Sequence, residues 1–561
     1  MQTNRVSGVA PLAVHFDCLG TTCEGVSVPF RDLSYLWDYD DDSGTFSGGK
    51  RGPVTSHVFD QPGTYNVSVL VVNAAGDVAM HGVTITVTDP DTVFSGTNTV
   101  CVSTSGTFTG APSGSTQVTS SDFDSVVGTY FGSGKRLLFR VGETFTSSAT
   151  VTLTNTSAAI LGAFGTETSP DSRGIASNAP IISVMHDNVV VSLGSNPTTC
   201  TDLRCIGLKF SYDNGGTRYH LFDLGFRADQ LLVYRCTDVA TKSFDQVFSV
   251  GRETPVGFGA DVCHDLCVAN CYWNAGTGND YGFYGAVRGL SLLNTYWGPQ
   301  RAASSGHVVR VQFGRNIHIA GCTFAAAAAT KHSLTIRALD YIDVASEDDT
   351  DTRYVVVDGN YTNCGTVWAW HIGSESTGHH ERVDHVLVFN NHFQIVSGGG
   401  TGSAYAIHSG GRGIVVYNNT TDADSGVGIT TVRLFLADTY GSAGQPAPES
   451  YVFNNTIYSS IPLTGNIRCV SQGSGTCEVK NNLLWGASTV GGGYTVTTGG
   501  ATFTASNNVS ASDPLFVSSS DLHLTASSPA IGAGTQVAAC LRDADDVLRG
   551  TVVDAGAYEY V

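Results

Sequence analysis

Short apolar segments that end in a pair of asparagines recur through the second half of the chain. Each segment has the length and the β-branched or aromatic content of a strand, and each asparagine pair has the character of a turn. The second asparagine returns about every 26 to 36 residues, a period typical of solenoid repeats. The repeats are Val386-Leu387-Val388-Phe389-Asn390-Asn391, Ile414-Val415-Val416-Tyr417-Asn418-Asn419, Tyr451-Val452-Phe453-Asn454-Asn455, Glu478-Val479-Lys480-Asn481-Asn482 and Ala505-Ser506-Asn507-Asn508.

Strands this short bury their apolar faces only when successive coils stack. Asparagine at a fixed turn can adopt the left-handed conformation, and its amide can bond the asparagine of the next coil. Earlier rungs carry Asn270-Cys271, Asn294, Gly321-Cys322 and Gly359-Asn360 in the equivalent place. The pattern resembles a right-handed parallel β-helix of the pectate-lyase-like kind over residues 91–561, with an N-terminal cap and C-terminal closing turns. The resemblance implies a fold and no particular activity.

The first ninety residues follow a different pattern, in which strand-like runs alternate with turn signals. Tyr35-Leu36-Trp37-Asp38-Tyr39-Asp40 and Gln61-Pro62-Gly63-Thr64-Tyr65 are the most distinctive runs. These motifs resemble the PKD domain family, which implies a β-sandwich at residues 1–90. Modules of that family usually act as spacers or as weak glycan or protein binders. The whole chain is therefore predicted to be all-β, a sandwich followed by a solenoid.

The chain is acidic, with 29 Lys+Arg against 49 Asp+Glu and a formal net charge of −20. That balance excludes a nucleic-acid binder that works through bulk positive charge. No stretch approaches the roughly 20 apolar residues of a membrane span. Fourteen cysteines in such a chain indicate an oxidising compartment. We therefore expect a secreted, extracellular protein whose signal peptide has been removed, or one released by phage lysis.

The cysteines fall into groups with different expected roles. Three close pairs are predicted to form disulfides: Cys18 with Cys23, Cys200 with Cys205, and Cys469 with Cys477. The turn cysteines are predicted to be free, stacked thiols; these are Cys236, Cys271, Cys322 and Cys364. The spacing of Cys263, Cys267 and Cys271 leaves a zinc site as an alternative.

Coil stacking places equivalent strand positions in columns, and one column is basic. Alignment of the strands before each turn puts Tyr284, Arg310, Arg337, His371 and His408 on one face, with His307, Lys331 and His332 close by. Such a cluster on an acidic chain predicts an anionic ligand, and a groove on a solenoid suits an extended acidic polysaccharide. The alternative interpretation is a set of solvated arginines and structural histidines.

The segment from His318 to Phe324, followed by Ser333-Leu334-Thr335-Ile336-Arg337, resembles the alginate lyase and chondroitinase B group of β-helix lyases. Arg337 matches that family's catalytic arginine, whereas Val311, Gln312 and Phe313 stand where its catalytic lysine is expected. The resemblance implies β-elimination from a uronic acid.

The residues of the basic column can be given roles in that reaction. Arg310, Arg337 or a bound cation would neutralise the carboxylate, and Lys331, His332 or His371 would act as the base. Tyr284 or a histidine would protonate the leaving oxygen. Gln312, His307 and His408 complete the predicted substrate-binding set. Calcium is a candidate cofactor, with Asp348, Asp349 and Glu375 as candidate ligands, and no organic cofactor is predicted.

Other functions fit parts of the sequence. Asp348, Asp349 and Asp351 could serve a β-helix glycoside hydrolase that uses paired carboxylates. Asp261, His264 and Asp265 resemble part of the site of β-helix uronan epimerases. A non-catalytic glycan-binding adhesin, with the sandwich as spacer, is a third alternative. A phage tailspike depolymerase is a fourth; it would be a trimer, whereas we otherwise expect a monomer.

Overall fold

We analysed a computed structural model of the chain. It describes residues 1–41, 51–193, 200–212, 218–224, 228–239, 244–251, 263–274, 281–299, 306–326, 331–338, 351–364, 368–373, 382–395, 402–423, 429–438, 449–460, 463–464, 467–471, 475–486, 489–490, 494–498, 502–510 and 512–561. Within those ranges, no helix combines the length and the apolar character needed to cross a membrane.

The N-terminal domain is a β-sandwich of two antiparallel-rich sheets with a core of aromatic residues. Trp37 is fully buried and donates from Nε1 to the carbonyl of Gly52 at 2.9 Å. One sheet has the order β1-β3-β5 and the other β2-β7-β6-β4. The elements are β1 (Gln2–Thr3), β2 (Ser7–Val9), β3 (Leu12–Asp17), α1 (Pro29–Asp32), β4 (Ser34–Asp38), β5 (Val54–Phe59), β6 (Gly63–Val72) and β7 (Val78–Thr88).

The rest of the chain consists of short strands after a brief helical connection, α2 (Pro90–Val93) and a 3-10 turn at Gly96–Asn98. The first elements of this part are β8 (Thr99–Ser103), β9 (Thr116–Thr119), α3 (Phe123–Tyr130), β10 (Arg136–Arg140), β11 (Thr144–Ser147), β12 (Val151–Thr152), β13 (Ser157–Phe164), β14 (Ile181–Val184), β15 (Val191–Ser192), β16 (Cys200–Ile206), β17 (Lys209–Tyr212), β18 (Arg218–Asp223), β19 (Ala228–Tyr234), β20 (Thr237–Asp238), β21 (Phe244–Val250), β22 (Cys263–Ala269) and β23 (Tyr272–Trp273).

Longer strands appear in the middle of the solenoid, where one strand serves two sheets. The remaining elements are β24 (Tyr281–Leu293), β25 (Tyr296–Trp297), β26 (Val309–Ala320), β27 (Thr323–Phe324), β28 (Leu334–Ile336), β29 (Thr352–Asp358), β30 (Tyr361–Cys364), β31 (Trp368–Gly373), β32 (Val383–Phe389), β33 (His392–Ile395), β34 (Gly402–Gly410), β35 (Arg412–Tyr417), β36 (Thr420–Ala423), β37 (Ile429–Asp438), β38 (Glu449–Phe453), β39 (Thr456–Ser459), β40 (Leu463–Thr464), β41 (Ile467–Ser471), β42 (Thr476–Lys480), β43 (Leu483–Gly486), β44 (Thr489–Val490), β45 (Tyr494–Thr498) and β46 (Thr502–Ser506).

These strands stack in parallel into three sheets that run the length of a β-helix. Sheet 1 contains the strands that precede the asparagine turns, such as β29, β32, β35 and β38. Sheet 2 contains β28, β31, β34 and β37, and sheet 3 contains β27, β30, β33 and β36. The strands β24 and β26 pass through sheet 2 and then sheet 1. The predicted all-β fold of a sandwich and a parallel β-helix is confirmed.

The paired asparagines divide two tasks between them. The first of each pair has a left-handed backbone, with φ of 55° at Asn390 and 53° at Asn418. The second is buried and bonds the next coil: Asn391 Nδ2 donates to Asn419 Oδ1 at 2.9 Å, and Asn419 Nδ2 donates to Asn455 Oδ1 at 3.0 Å. The predicted ladder is thus confirmed. The first asparagine of each pair adopts the turn conformation, and the second forms the side-chain hydrogen bond to the next coil.

A helix covers the N-terminal end of the solenoid, and the C-terminal segment packs along its asparagine turns. At the N-terminal end, α3 buries Phe123, Val126 and Val127, and Asp122 caps the helix by accepting from Ser125 N at 3.0 Å. After β46 the chain turns back along the asparagine turns, where Asn481 Nδ2 donates to Thr535 O at 2.6 Å. These contacts satisfy backbone groups and amides that the last coils would otherwise leave unpaired.

The sandwich packs against the outer face of sheet 1 instead of extending from the end of the solenoid. Ser56 N donates to His318 Nδ1 at 3.0 Å, and His318 Nε2 donates to Asp358 Oδ1 at 3.1 Å, with all three residues buried. Arg204 Nη1 donates to Val9 O at 2.7 Å. The sandwich therefore lies alongside the solenoid.

Two of the three predicted disulfides are wrong. Cys18, Cys23, Cys200 and Cys205 are free thiols. Cys200 and Cys205 lie on one extended strand, β16, which separates them by roughly 15 Å, far beyond disulfide reach. Cys18 belongs to the sandwich core, whereas the half-exposed Cys23 thiol lies 3.8 Å from Asn73 Nδ2.

The third pair stays a prediction. Cys477 is disulfide-bonded, and the side chain of Cys469 lies outside the described residues.

The turn cysteines do form a stack of free thiols. Cys205 Sγ lies 3.8 Å from Cys236 Sγ, and Cys236 N donates to Cys271 Sγ at 3.4 Å. Cys322 is also not disulfide-bonded, and its backbone N–H donates to Asn360 Oδ1 at 2.8 Å, where the asparagine ladder begins. The side chain of Cys364 lies outside the described residues.

The alternative of a zinc site at Cys263, Cys267 and Cys271 is wrong. Cys263 and Cys271 face the solenoid interior, whereas Cys267 packs outward under the sandwich. Three thiols on opposite faces of a strand cannot converge on one ion.

Candidate functional site

Sheet 2 aligns a polar column on its outer face. Tyr284 pairs with Arg310, Arg310 with Thr335, Thr335 with His371 and His371 with His408 as Cα partners in successive coils. Their sequence neighbours belong to the solenoid core, so these side chains point away from it. We call this column, together with Tyr281, His307, Lys331, His332 and Arg337 beside it, the basic face.

Arg337 is displaced from the register predicted for it. Thr335 occupies the position between Arg310 and His371, and Arg337 follows two residues later, beyond the end of β28. Its backbone N–H donates to Val311 O at 2.9 Å. The residue keeps to the same face because side chains two apart in an extended chain point the same way. It therefore flanks the column and is not one of its rungs.

Four imidazoles form a continuous row on the basic face. His307 and His332 stack with ring centroids 5.0 Å apart, His332 and His371 with centroids 5.3 Å apart, and His371 and His408 lie 4.9 Å apart with a tilt of 51°. All four rings are buried, and His371 and His408 are only 1% exposed. The row runs from His307 through His332 and His371 to His408.

The hydrogen-bond network assigns the protons on the first two rings. His332 N donates to His307 Nδ1 at 3.1 Å, so that nitrogen is an acceptor. The two Nδ1 atoms are 3.2 Å apart, which makes His332 Nδ1–H the donor of the second bond. The proton-accepting lone pair of the His332 ring then resides on Nε2, and His307 carries its proton on Nε2.

The row is held in the neutral state. Burial, reinforced by neighbouring imidazoles and by Arg310, lowers the pKa of His307 to about 2 and that of His332 to about 3. Burial lowers the pKa of His408 to about 4 and that of His371 well below its ordinary value. Each ring is therefore uncharged across the neutral pH range.

The less buried side of the basic face contains two tyrosines, an arginine and a lysine. Arg310 and Lys331 are half-buried, and the Arg310 guanidinium lies 5.5 Å from the centre of the Tyr284 ring. Tyr281 is 5.0 Å from Tyr284 and 6.5 Å from His307 by ring centroids. Tyrosine, arginine, lysine and histidine thus meet along one line.

Some polar atoms in this region have no hydrogen-bond partner within the described part of the chain. They are Arg310 Nε, Gln312 Oε1 and Thr335 Oγ1, each buried. Buried polar groups are normally paired, by protein, water or ligand. Gln312 lies two residues beyond Arg310, in the same relation that Arg337 has to Thr335.

Tyr281, His307 and His332 occupy equivalent positions in three successive coils, and the sequence prediction did not include Tyr281. Each of these residues lies three positions before the column residue of its own coil: Tyr281 before Tyr284, His307 before Arg310, and His332 before Thr335. The repeated offset was present in the sequence and could have identified Tyr281.

The predicted metal ligands Asp348, Asp349 and Glu375 lie outside the described residues, so calcium stays a prediction. Among the residues that are described, no cluster of three His, Cys, Asp or Glu side chains is placed to hold a metal ion. Asp351, from the predicted carboxylate group, is buried and forms an ion pair with Arg353. His264 and Asp265 lie on sheet 1, away from the basic face, and Asp261 lies outside the described residues.

Comparisons with solved structures found distant β-helix proteins. The Yersinia enterocolitica family 28 exopolygalacturonase is 8% identical with a TM-score of 0.40, covering 89% of this chain and 97% of its own. The Azotobacter vinelandii mannuronan C-5 epimerase AlgE6 A-module is 11% identical with a TM-score of 0.33, covering 67% and 91%. The Streptococcus pneumoniae surface protein and adhesin PfbA is 10% identical with a TM-score of 0.19, covering 68% and 86%.

A comparison with curated proteins found no match. A family model described as PKD domain matches residues 3–88, which span the sandwich from β1 to β7. The chain thus contains a PKD domain followed by a parallel β-helix.

Proposed function

We propose that the protein is an extracellular enzyme that cleaves an acidic polysaccharide by β-elimination at the basic face. The observation that carries this proposal is the row of neutral imidazoles flanked by Arg310, Lys331 and Arg337. Elimination from a uronic acid needs a neutralised carboxylate and a base beside it. The basic face offers both kinds of group.

The chemical step assigns one role to each group. Arg310 and Lys331, on the less buried side, bind the uronate carboxylate and make the C5 proton more acidic. His332 Nε2, which holds the ring's lone pair, removes that proton, and the electron pair forms the C4–C5 double bond. The bond from C4 to the glycosidic oxygen breaks, and Tyr284 donates a proton to that oxygen.

His371 and His408 play an indirect part in this assignment. Both are buried to 1% exposure, and their rings continue the row behind His332. They keep the environment of His332 apolar and its imidazole neutral, because desolvation and neighbouring imidazoles disfavour the protonated form. Arg337, 9% exposed, contributes positive charge from the side of the column.

A substrate screen tests the proposal. The protein is mixed with alginate, pectate and chondroitin, with and without calcium, while reducing ends and ultraviolet absorbance are followed together. β-Elimination produces both new reducing ends and the absorbance of an unsaturated uronic acid. Reducing ends without absorbance would identify a glycoside hydrolase, and neither signal with any uronan would contradict an enzyme at this face.

A matched pair of variants then locates the site. We expect Arg310→Gln to lower kcat/KM by about 10²-fold or more, because a preorganised cation is removed from the developing charge. Arg412→Gln is the control: this exposed arginine lies on sheet 1 and forms an ion pair with Glu449 at 3.5 Å. Equal losses in both variants would show that the basic face is not the catalytic site.

A further inference from the structure

A polar cavity of about 460 Å³ lies where the PKD domain meets sheet 1. Asn4 and Asp17 contribute to its wall from the sandwich, and Asp265, Arg288, Arg315 and Tyr354 contribute from the β-helix. Its volume falls within the range of sites that hold small ligands. None of these residues belongs to the basic face, which is on sheet 2.

The cavity wall contains buried hydrogen-bond donors. Arg288 and Arg315 are Cα partners in adjacent coils, and both line the cavity. Arg315 Nε and Nη2 are buried without a hydrogen-bond acceptor among the described residues, and so is Asn4 Nδ2. Buried donors without an acceptor are unfavourable, and a ligand rich in acceptor oxygens would pair those of Arg315 and Asn4.

The cavity also contains two carboxylates, which favour a uronic acid over an inorganic anion. Asp17 Oδ1 accepts from Leu19 N at 3.2 Å. Asp265 lies directly over Gly289, where a Cβ would come within 2.3 Å of Asp265 Oδ1. An inorganic anion would meet these carboxylates unfavourably. A uronic acid can direct its carboxylate to the arginines and donate its hydroxyl protons to the aspartates.

Tyr354 adds an aromatic surface at the edge of the cavity. Its backbone is left-handed, with φ of 62°, which is unfavourable for a bulky side chain. The equivalent position of the coil two turns earlier is Gly289, also left-handed. The Tyr354 ring contacts Phe30 of the sandwich at 5.8 Å between centroids. An aromatic ring beside polar groups is a suitable contact for the apolar face of a sugar.

We propose that this cavity is a second carbohydrate site, formed jointly by the two domains, that binds one carboxylate-bearing sugar residue. The ligand class is that of the proposed function, but binding here requires no cleavage at the basic face. The site gives the docked PKD domain a role in holding the polysaccharide beside the β-helix.

Calorimetric titration tests this site in the full-length Arg310→Gln protein, where cleavage is suppressed. The probes are trimers of galacturonate and of mannuronate, a neutral galactose trimer and inorganic phosphate. We expect Arg315→Gln, added to that background, to weaken binding of a uronate trimer by about tenfold or more, since a charged bond to carboxylate is lost. Arg412→Gln, four coils from Arg288 in the same column of sheet 1, should leave the affinity unchanged.

Each outcome decides the question. Absence of binding by either uronate trimer, or equal affinity with and without Arg315→Gln, overturns the inference. If the neutral trimer binds as tightly as the uronate trimers, the carboxylate plays no part in recognition. If phosphate competes with the same affinity as a uronate trimer, the cavity is a general anion site. If Arg315-dependent binding persists in a protein that cleaves no uronan, only the proposed catalytic function fails.

Discussion

The imidazole rings of His307 and His332 lie nearly parallel on adjacent coils, with an interplanar angle of 14° and their Nδ1 atoms 3.2 Å apart. This pairing fixes the His332 proton on Nδ1 and leaves Nε2 as the basic nitrogen. A side chain without a basic nitrogen at position 332 would keep much of the packing and lose the proposed chemistry.

We therefore expect His332→Gln to lower kcat by about 10²-fold or more, the typical contribution of a general base, with a smaller effect on KM. His392→Gln is the control, because His392 lies on sheet 3 and its Nδ1 is 2.8 Å from Thr420 Oγ1. Steady-state kinetics on the substrate found in the screen would measure both. A His332→Gln enzyme with normal kcat would exclude His332 as the base.

The buried histidines also predict how stability depends on pH. Burial lowers the pKa of His15 and His408 to about 4, and those of His307 and His332 lie lower still. In the unfolded chain these groups titrate near 6.5. As the pH falls from about 6.5 towards 4, the unfolded state binds protons that the folded state does not, and the free energy of unfolding decreases.

Each such histidine contributes a slope of up to about 1.4 kcal/mol per pH unit in that window. We expect His408→Gln to reduce the slope by about 1 kcal/mol per pH unit, since one titrating group is removed. Urea unfolding of both proteins at several pH values between 4 and 7 measures the difference. Parallel lines for the two proteins would show that His408 is not kept neutral by the fold.

The sequence was sufficient to predict the coils because their signal is local and repeated. An apolar strand followed by Asn390-Asn391 or Asn418-Asn419 specifies both a turn and a stacking partner, and the structure contains both. The face that carries Arg310 and His371 was predictable for the same reason. The exact register was not, because the strand Leu334–Ile336 ends before Arg337 and sequence spacing does not reveal where a strand stops.

The sequence did not reveal how far apart residues lie along a strand or how the two domains pack against each other. Cys200 and Cys205 are close in sequence and resemble a disulfide pair, but an extended strand holds them apart. The position of the sandwich against sheet 1 depends on complementary surfaces such as Ser56 and His318, which are 262 residues apart. Neither residue has a local pattern that indicates its partner.

The asparagine ladder makes a prediction about stability. Asn419 is fully buried; its side chain donates to Val388 O and Asn455 Oδ1 and accepts from Asn391. We expect Asn419→Ala to lower the free energy of unfolding by about 3 kcal/mol, because several buried groups lose their partners at once. Chemical denaturation measures this difference.

Asn390→Gly serves as the matched control in the neighbouring coil. Asn390 has a left-handed backbone, which glycine adopts without strain, and it does not belong to the ladder of second asparagines. We expect a change within about 0.5 kcal/mol. A similar loss in both variants would mean that the turn conformation, and not the ladder, stabilises these coils.

The packing of the sandwich against the β-helix predicts that the two domains unfold together. Ala13 is buried against an apolar cluster of sheet 1 that includes Leu232, Cys267 and Ala320. We expect one calorimetric transition for the native protein and two for Ala13→Lys, because a buried unpaired charge separates the surfaces. Ala79→Lys, on an exposed strand of the sandwich, should keep the single transition. Two transitions in the native protein would show that the docked domains are energetically independent, and the cavity between them would then be an open cleft.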